Sequence, residues 1–381
     1  MPLRIVADRV IAAAATAFAE IGEVTLADGR LISAELLADA DVLLVRSVTR
    51  VDAALLDGTP VRFVGTATAG TDHVDEDLLR ARGIAFAAAP GCNARAVGEY
   101  VLATVLAHAE RIGRAPSTLR CGVIGCGHAG RAALDLLEAV GVECLRNDPP
   151  LTAGRQGYVP LAEALAADVV SLHVPLSAGG PHPTVGLLGA SELARMPRGA
   201  LLINAARGGV VDEPAWQDAV AGRRLLAAID CWRGEPGISR AMLDAAWIAT
   251  PHVAGHTVDA RLRATHQLRG ALRAWAGVVT GNGVAPAPTA ADAPAPLVLP
   301  PGATDAAVRA AVFACVDPRA QTADFRAALD AAGDGARAAF DRMRAQFGSR
   351  REFGVRPVAE TGVATDTAAQ LQRLGFRLVT A

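Results

Sequence analysis

The chain has 381 residues, half of them apolar, and its 37 basic and 39 acidic side chains leave a formal net charge of −2. That length exceeds one ordinary hydrophobic core and points to two or three domains, while the charge balance excludes a globally polybasic binder of nucleic acid or anionic membrane. All the basic residues other than histidine are arginine, so Schiff-base and P-loop lysine chemistry are excluded too.

The opening stretch Met1-Pro2-Leu3-Arg4-Ile5-Val6-Ala7-Asp8 reads as a strand rather than a signal peptide. No apolar run reaches the roughly 18 residues that a membrane span needs, so a cytoplasmic protein without a membrane partner is expected. The six cysteines, Cys92, Cys121, Cys126, Cys144, Cys231 and Cys315, show no paired CxxC spacing. They read as reduced thiols packed as small hydrophobes, and no metal is expected.

In chain order, short apolar runs predict strands at Arg4–Ala7, Val42–Arg46, Arg62–Thr66, Ile84–Ala88, Cys121–Gly125, Glu143–Arg146, Val169–Val174, Ala200–Asn204, Leu226–Asp230 and Trp247–Ala249. Amphipathic or alanine-rich stretches between them, Ser33–Ala40, Arg95–Arg111, Arg131–Val140 and Glu213–Ala221, predict helices. Such alternation argues for an α/β protein built from βαβ units and doubly wound parallel sheets. Val284–Pro296, rich in Ala and Pro, reads as a linker after a helical stretch ending near Gly281. Beyond it, helical pieces at Asp305–Cys315, Thr322–Ala332 and Ala336–Phe347, with possible terminal strands, suffice for a small α+β domain.

Cys121–Arg131 ends an apolar strand and opens a helix, with Gly125, Gly127 and Gly130 spaced as G-x-G-x-x-G. The first glycine suits a tight turn, the second a close approach to a pyrophosphate, and the third close helix–strand packing. The helix N-terminus would offer unpaired N–H groups to the phosphates. Asp148 follows near the end of the next strand, where a carboxylate suits a ribose 2′-hydroxyl and repels a 2′-phosphate. NAD is therefore expected as cofactor in preference to NADP. Strand alternation should turn Arg146 away or onto the adenine edge.

Three polar segments follow strands farther on: Asn204–Gly209, Asp230–Pro236 and Thr250–Gly255. Ligands of open parallel sheets bind beyond the carboxyl ends of the strands, where these segments would converge. His252 suits an acid/base role, Glu235 would fix its tautomer, and Arg207 could hold a substrate carboxylate by two parallel hydrogen bonds. His173 could mimic a catalytic histidine but reads as a structural or cofactor-lining residue at a strand end. Arg46 is a candidate for a substrate phosphate or carboxylate, against an ordinary strand-end role.

These segments, with 28 residues from Arg207 to Glu235 and 17 from Glu235 to His252, resemble the signature of the D-isomer-specific 2-hydroxy-acid dehydrogenases. The Val45–Thr49, Phe63–Asp75 and Ala89–Ala94 stretches, with Arg350-Arg351-Glu352-Phe353 and Leu374-Gly375-Phe376, are most similar to the members that act on 4-phospho-D-erythronate, and the likeness covers essentially the whole chain. It implies a flavodoxin-like substrate domain formed by residues 1–93 plus 256–283, a Rossmann-like NAD domain at 94–255, a linker at 284–296 and a dimerisation domain at 297–381. It also implies oxidation of 4-phospho-D-erythronate to 2-oxo-3-hydroxy-4-phosphobutanoate on the way to pyridoxal 5′-phosphate (vitamin B6), by a homodimer.

By family position, Ser47 and Thr68 should touch substrate, whereas Asp148, Asp230, Gly255 and the Ala205, Ala206 and Arg207 backbone should touch NAD. Two departures stand out. His256 replaces a tyrosine expected against substrate, and Val174 replaces a threonine expected near NAD. A sister enzyme acting on 3-phosphoglycerate or glycerate is the nearest alternative, and a catalytically silent NAD sensor the more distant one.

Overall fold

Along Val42-Leu43-Leu44-Val45 all four side chains are buried, yet they alternate between two apolar clusters, Val42 and Leu44 on one face, Leu43 and Val45 on the other. A strand covered on both faces belongs inside a parallel α/β sheet, and the computed structural model, which describes residues 2–152, 156–222, 224–278, 295–300 and 304–380, has two such sheets. Each lies in its own compact unit, one formed by 1–93 with 258–292 and the other by 94–257 with 293–381. The expected linker at 284–296 lies almost wholly outside the described residues.

In the first unit β1 (Leu3–Asp8), β2 (Gly22–Ala27), β3 (Val42–Val45), β4 (Phe63–Thr66) and β5 (Ala85–Ala87) run parallel in the order β2-β1-β3-β4-β5. This is the flavodoxin-like winding. The helix Val258–Ala276 returns to this unit late in the chain, and its Leu268 and Leu272 pack with Ile5, Val42, Leu44 and Phe63. Two expectations need correcting here. β2 was not foreseen, and Ser33–Ala40 is a run of turns rather than a helix. There the Leu37 N–H reaches both Ser33 O at 3.2 Å and Ala34 O at 3.1 Å, but Ala38 N–H to Glu35 O and Ala40 N–H to Leu37 O span only three residues, so the four-residue pattern does not propagate into a helix.

The second unit holds β6 (Arg120–Ile124), β7 (Glu143–Asn147), β8 (Val169–Leu172), β9 (Ala200–Asn204), β10 (Leu225–Ile229) and β11 (Ile248–Ala249), ordered β11-β10-β9-β8-β6-β7 and all parallel. A single parallel bridge from Arg146 to Tyr158 lies outside β7. Counting Tyr158 as a vestigial strand, the run Tyr158, β7, β6, β8, β9 and β10 has the 3-2-1-4-5-6 order of dinucleotide-binding sheets, with β11 added as a seventh strand at the far edge. The long helix Ala94–Ile112 and the helix His128–Ala139 pack against one face.

The C-terminal segment shares its core with this sheet. Val308, Ala311, Phe353 and Phe376 join the cluster on one face, and Phe325, Phe340 and Met343 join that on the other. Its helices are Thr304–Cys315, Pro318–Ala332, Ala336–Phe347 and Thr365–Arg373, with the short parallel pair β12 (Pro357–Ala359) and β13 (Arg377–Val379). At the edge strand β11, the Ala249 N–H donates to the Thr322 hydroxyl at 3.0 Å, so a side chain satisfies a donor that would otherwise invite strand addition.

Candidate active site

The glycines of the β6 turn have distinct physical reasons to be glycine. Gly125 has φ +88°, and a β-carbon there would lie 2.8 Å from the His173 carbonyl carbon. One on Gly130 would lie 1.9 Å from the Gly125 oxygen, so the helix packs directly on its own turn. One on Gly127 would meet nothing within 4 Å. Gly127 precedes the helix His128–Ala139, and the open space there with unpaired helix N–H groups fits a pyrophosphate. Val174 lies against Gly125.

Asp148, just past β7, accepts the Cys126 N–H at 2.7 Å and so is tied to the glycine turn. Arg146 points elsewhere, to Glu138 on the neighbouring helix. His173 reaches Ser171 Oγ through Nε2 at 2.9 Å. Burial pushes its imidazole down to about 4, so it sits neutral beneath the turn. These residues can hold an NAD diphosphate and adenosine.

β9 ends in Asn204, which sequence reasoning assigned no role. Its side-chain amide donates to the Arg207 carbonyl at 2.9 Å, and its Oδ1 accepts the Ala206 N–H at 3.2 Å. A strand-end asparagine thus shapes the loop carrying Arg207, whose Nη1 donates to the Ala206 carbonyl at 2.8 Å. Gly208 abuts the next loop at Trp232.

His252 and Glu235 are brought together as expected from their chemistry, with Nδ1 and Oε1 2.5 Å apart. Glu235 Oε2 also accepts the Trp232 N–H at 3.3 Å. Burial pushes the Glu235 carboxyl up, but the adjacent His252, its hydrogen bond and Arg344 outweigh burial and hold it below the usual carboxylate range. A carboxylate that stays ionised can fix the imidazole with Nδ1 protonated, leaving Nε2 as the base.

The backbone of His252 is left-handed, with φ +56°. For a residue with a β-carbon this costs on the order of 1–2 kcal/mol and persists only where neighbours enforce it. Asp230, 1% exposed at the end of β10, supplies that enforcement. Its Oδ1 accepts from Thr250 Oγ1 at 2.6 Å and from the Val253 N–H at 2.7 Å, and its Oδ2 accepts from the Ala254 N–H at 2.9 Å. Buried Tyr100 meets Thr250 Oγ1 at 2.8 Å. By family position Asp230 is expected to touch NAD, and these three bonds also make it a hub of the His252 loop.

The remaining expected site residues divide between the units. Gly255 lies in the His252 loop, and the His256 Nδ1–H donates to the Arg344 carbonyl at 3.0 Å. In the first unit Arg46 Nε donates to the fully buried Asp8 at 3.0 Å. Thr68 lies beside Thr66 at 2.7 Å and donates to the Gly70 carbonyl at 2.7 Å. Ser47 is exposed in the turn after β3. Among the described residues no cluster of His, Cys, Asp and Glu could hold a metal ion. Besides Asn204, sequence reasoning missed Thr250, Tyr100 and Arg344, because their partners lie far away in the chain.

Comparison with known proteins agrees with this geometry. Residues 95–254 match the D-isomer specific 2-hydroxyacid dehydrogenase NAD binding domain. Among solved structures, the TT0316 protein of Thermus thermophilus superposes with a TM-score of 0.62 at 27% identity, over 71% of this chain and 95% of its own. A D-lactate dehydrogenase of Aquifex aeolicus, complexed with NAD and lactic acid, shares the fold at a TM-score of 0.62 and 22% identity, over 72% of this chain and 95% of its own. Curated relatives match nearly end to end. The erythronate-4-phosphate dehydrogenase of Azotobacter vinelandii is 43% identical over 98% of this chain and 99% of its own, and that of Pseudomonas aeruginosa 42% over 99% and 100%. With an NAD-binding domain matched by family and full-length relatives at this identity, the chain belongs to the erythronate-4-phosphate dehydrogenase family of D-isomer-specific 2-hydroxy-acid dehydrogenases.

Proposed function

We propose that the protein oxidises 4-phospho-D-erythronate at C2 to 2-oxo-3-hydroxy-4-phosphobutanoate on the route to pyridoxal 5′-phosphate. The observation that carries this reading is the 42–43% identity, over essentially the whole chain, to erythronate-4-phosphate dehydrogenases. The 2.5 Å pairing of His252 with Glu235 supports the chemistry.

NAD, when bound, supplies the acceptor for the hydride of C2. Gly125, Gly127, Gly130, Asp148, Val174, the Ala205–Arg207 backbone, Asp230 and Gly255 form its proposed binding set. His252 Nε2 takes the proton of the C2 hydroxyl, and ionised Glu235 stabilises the resulting imidazolium through Nδ1–H. Arg207 pairs with the substrate carboxylate and polarises the C2 oxygen. Ser47, Thr68, His256 and Arg46 are the proposed remaining substrate contacts, with Arg46 offering a guanidinium to the phosphate or carboxylate while Asp8 fixes its direction.

Among the described residues no helix is long and apolar enough to cross a membrane, and a cytoplasmic location is proposed. The proposed homodimer is supported by family resemblance, and sedimentation velocity tests it. The decisive assay follows NADH formation with 4-phosphoerythronate beside 3-phosphoglycerate and glycerate, with a 2-oxo-acid acceptor in a parallel set. Preference for 4-phosphoerythronate is expected. Preference for another acid would keep the chemistry and overturn the substrate, whereas silence with all three would overturn the enzymatic reading.

A further inference from the structure

Buried charge gathers at one place outside the hydride-transfer chemistry. Glu99, fully buried on the helix Ala94–Ile112, accepts from Arg95 Nε at 2.8 Å and from the Phe353 N–H at 2.9 Å through Oε1. Its Oε2 faces Arg350 Nη1 at 3.6 Å. The Arg350 side chain is only 5% exposed. Its Nη2 donates to the Ala96 carbonyl at 3.0 Å and to the Ala254 carbonyl at 2.6 Å.

Ala254 stands two residues after His252. Its N–H is held by Asp230 at 2.9 Å and its carbonyl by Arg350 at 2.6 Å. A buried anion and a buried cation therefore grip the two peptide groups flanking one residue. Further ties join the same two segments. Buried Thr257 donates to Glu352 Oε1 at 3.2 Å, and Gly348 is so close to the His256 ring that a β-carbon there would lie 2.9 Å from its Cε1. Phe353, stacked on Phe376 at 4.6 Å, anchors the segment in the core.

A buried ion pair stabilises little beyond what well-packed apolar residues would, but it fixes direction. His252 needs that direction, because its left-handed backbone has to be imposed on it. We propose that Arg350 is a positioning residue for His252, acting with Asp230 through Ala254, so that the C-terminal segment is part of the catalytic apparatus. The inference rests on the reading of His252 as acid/base.

The test compares Arg350→Met, Arg350→Lys, Thr257→Val and His252→Ala in the full-length protein, with kcat and KM for 4-phosphoerythronate and NAD measured separately. A displacement of about 1 Å at a reacting group can cost roughly 100-fold. Arg350→Met is therefore expected to lower kcat by roughly 10- to 100-fold, with circular dichroism and the KM for NAD close to the parent's. Arg350→Lys should recover part of the loss, since an ammonium can still donate to the Ala254 carbonyl. A folded Arg350→Met protein with kcat within about twofold of the parent, beside an inactive His252→Ala, overturns this inference alone. Parent-like activity in His252→Ala removes the acid/base reading and this inference with it. If Arg350→Met does not fold, Thr257→Val decides: a severalfold loss of kcat supports the clamp, and a parent-like kcat overturns it.

Discussion

A β-carbon on Gly208 would lie 2.0 Å from the Trp232 carbonyl oxygen, so the loop carrying Arg207 is pressed against the loop carrying Glu235. Backbone meets backbone there, and no side chain can swing aside. Gly208→Ala is expected to destabilise the fold by an overpacking cost of about 1–3 kcal/mol, and so lower Tm, and to reduce kcat/KM by at least tenfold. Steady-state rates and calorimetry check both. An alanine variant with parent-like rates would mean the loops adjust independently.

Removing the charge of Glu235 while keeping its shape isolates the dyad. Glu235→Gln takes away the anion that stabilises imidazolium, so kcat should fall roughly 10²- to 10⁴-fold, as for other acid/base groups. Steady-state rates check this, and a kcat within about threefold of the parent's would contradict the pairing.

Asp148 holds the glycine turn through the Cys126 N–H at 2.7 Å. Asn keeps an acceptor there and loses the charge that repels a 2′-phosphate. Asp148→Asn should therefore reduce the kcat/KM preference for NAD over NADP by about tenfold or more with little change in Tm. An unchanged preference would place the discrimination elsewhere.

Two carboxyl groups of the second unit, fully buried Glu99 and partly buried Glu235, respond oppositely to pH. Burial pushes Glu99 up to about 7, against Arg350, Arg95 and the Phe353 N–H, while the nearby Cys315 thiol is pushed up to about 12. A raised folded-state value means that the stability it confers is full below the ordinary 4.5 and is lost as pH rises through 7. Glu235 is held low, so its contribution is full above 4.5 and is lost as pH falls below that. The Tm of the parent minus that of Glu99→Gln should fall between about pH 5 and pH 8. A flat difference across that range would show that Glu99 ionises normally.

All ten strands expected from apolar runs are present; the central ones are buried on both faces and write a continuous hydrophobic signal, whereas the edge strands β5 and β7 are only partly buried. β2 writes no such signal: it is an edge strand with Val24 and Leu26 partly or largely exposed, so its sequence resembles a loop. Ser33–Ala40 failed in the other direction. Leu37 and Ala40 are buried three residues apart, as a helix would place them, but the Ala38 and Ala40 N–H groups bond three residues back, so the backbone closes successive turns instead. The proposed catalytic residues stand out in the sequence since each follows a strand and brings its own chemistry. The supports were not: Arg350 and Ala96 are 254 positions apart, and no local pattern encodes a contact made only by the finished fold.

The late return of the helix Val258–Ala276 has a consequence for synthesis. Leu268 and Leu272 cover Val42 and Phe63, yet they leave the ribosome about 200 residues after Phe63. At about 5–20 residues per second the nascent sheet waits roughly 10–40 s with that apolar face incomplete. The first unit can finish folding only after the whole second sheet has been translated, which makes that interval the time at which a nascent-chain chaperone has most to protect.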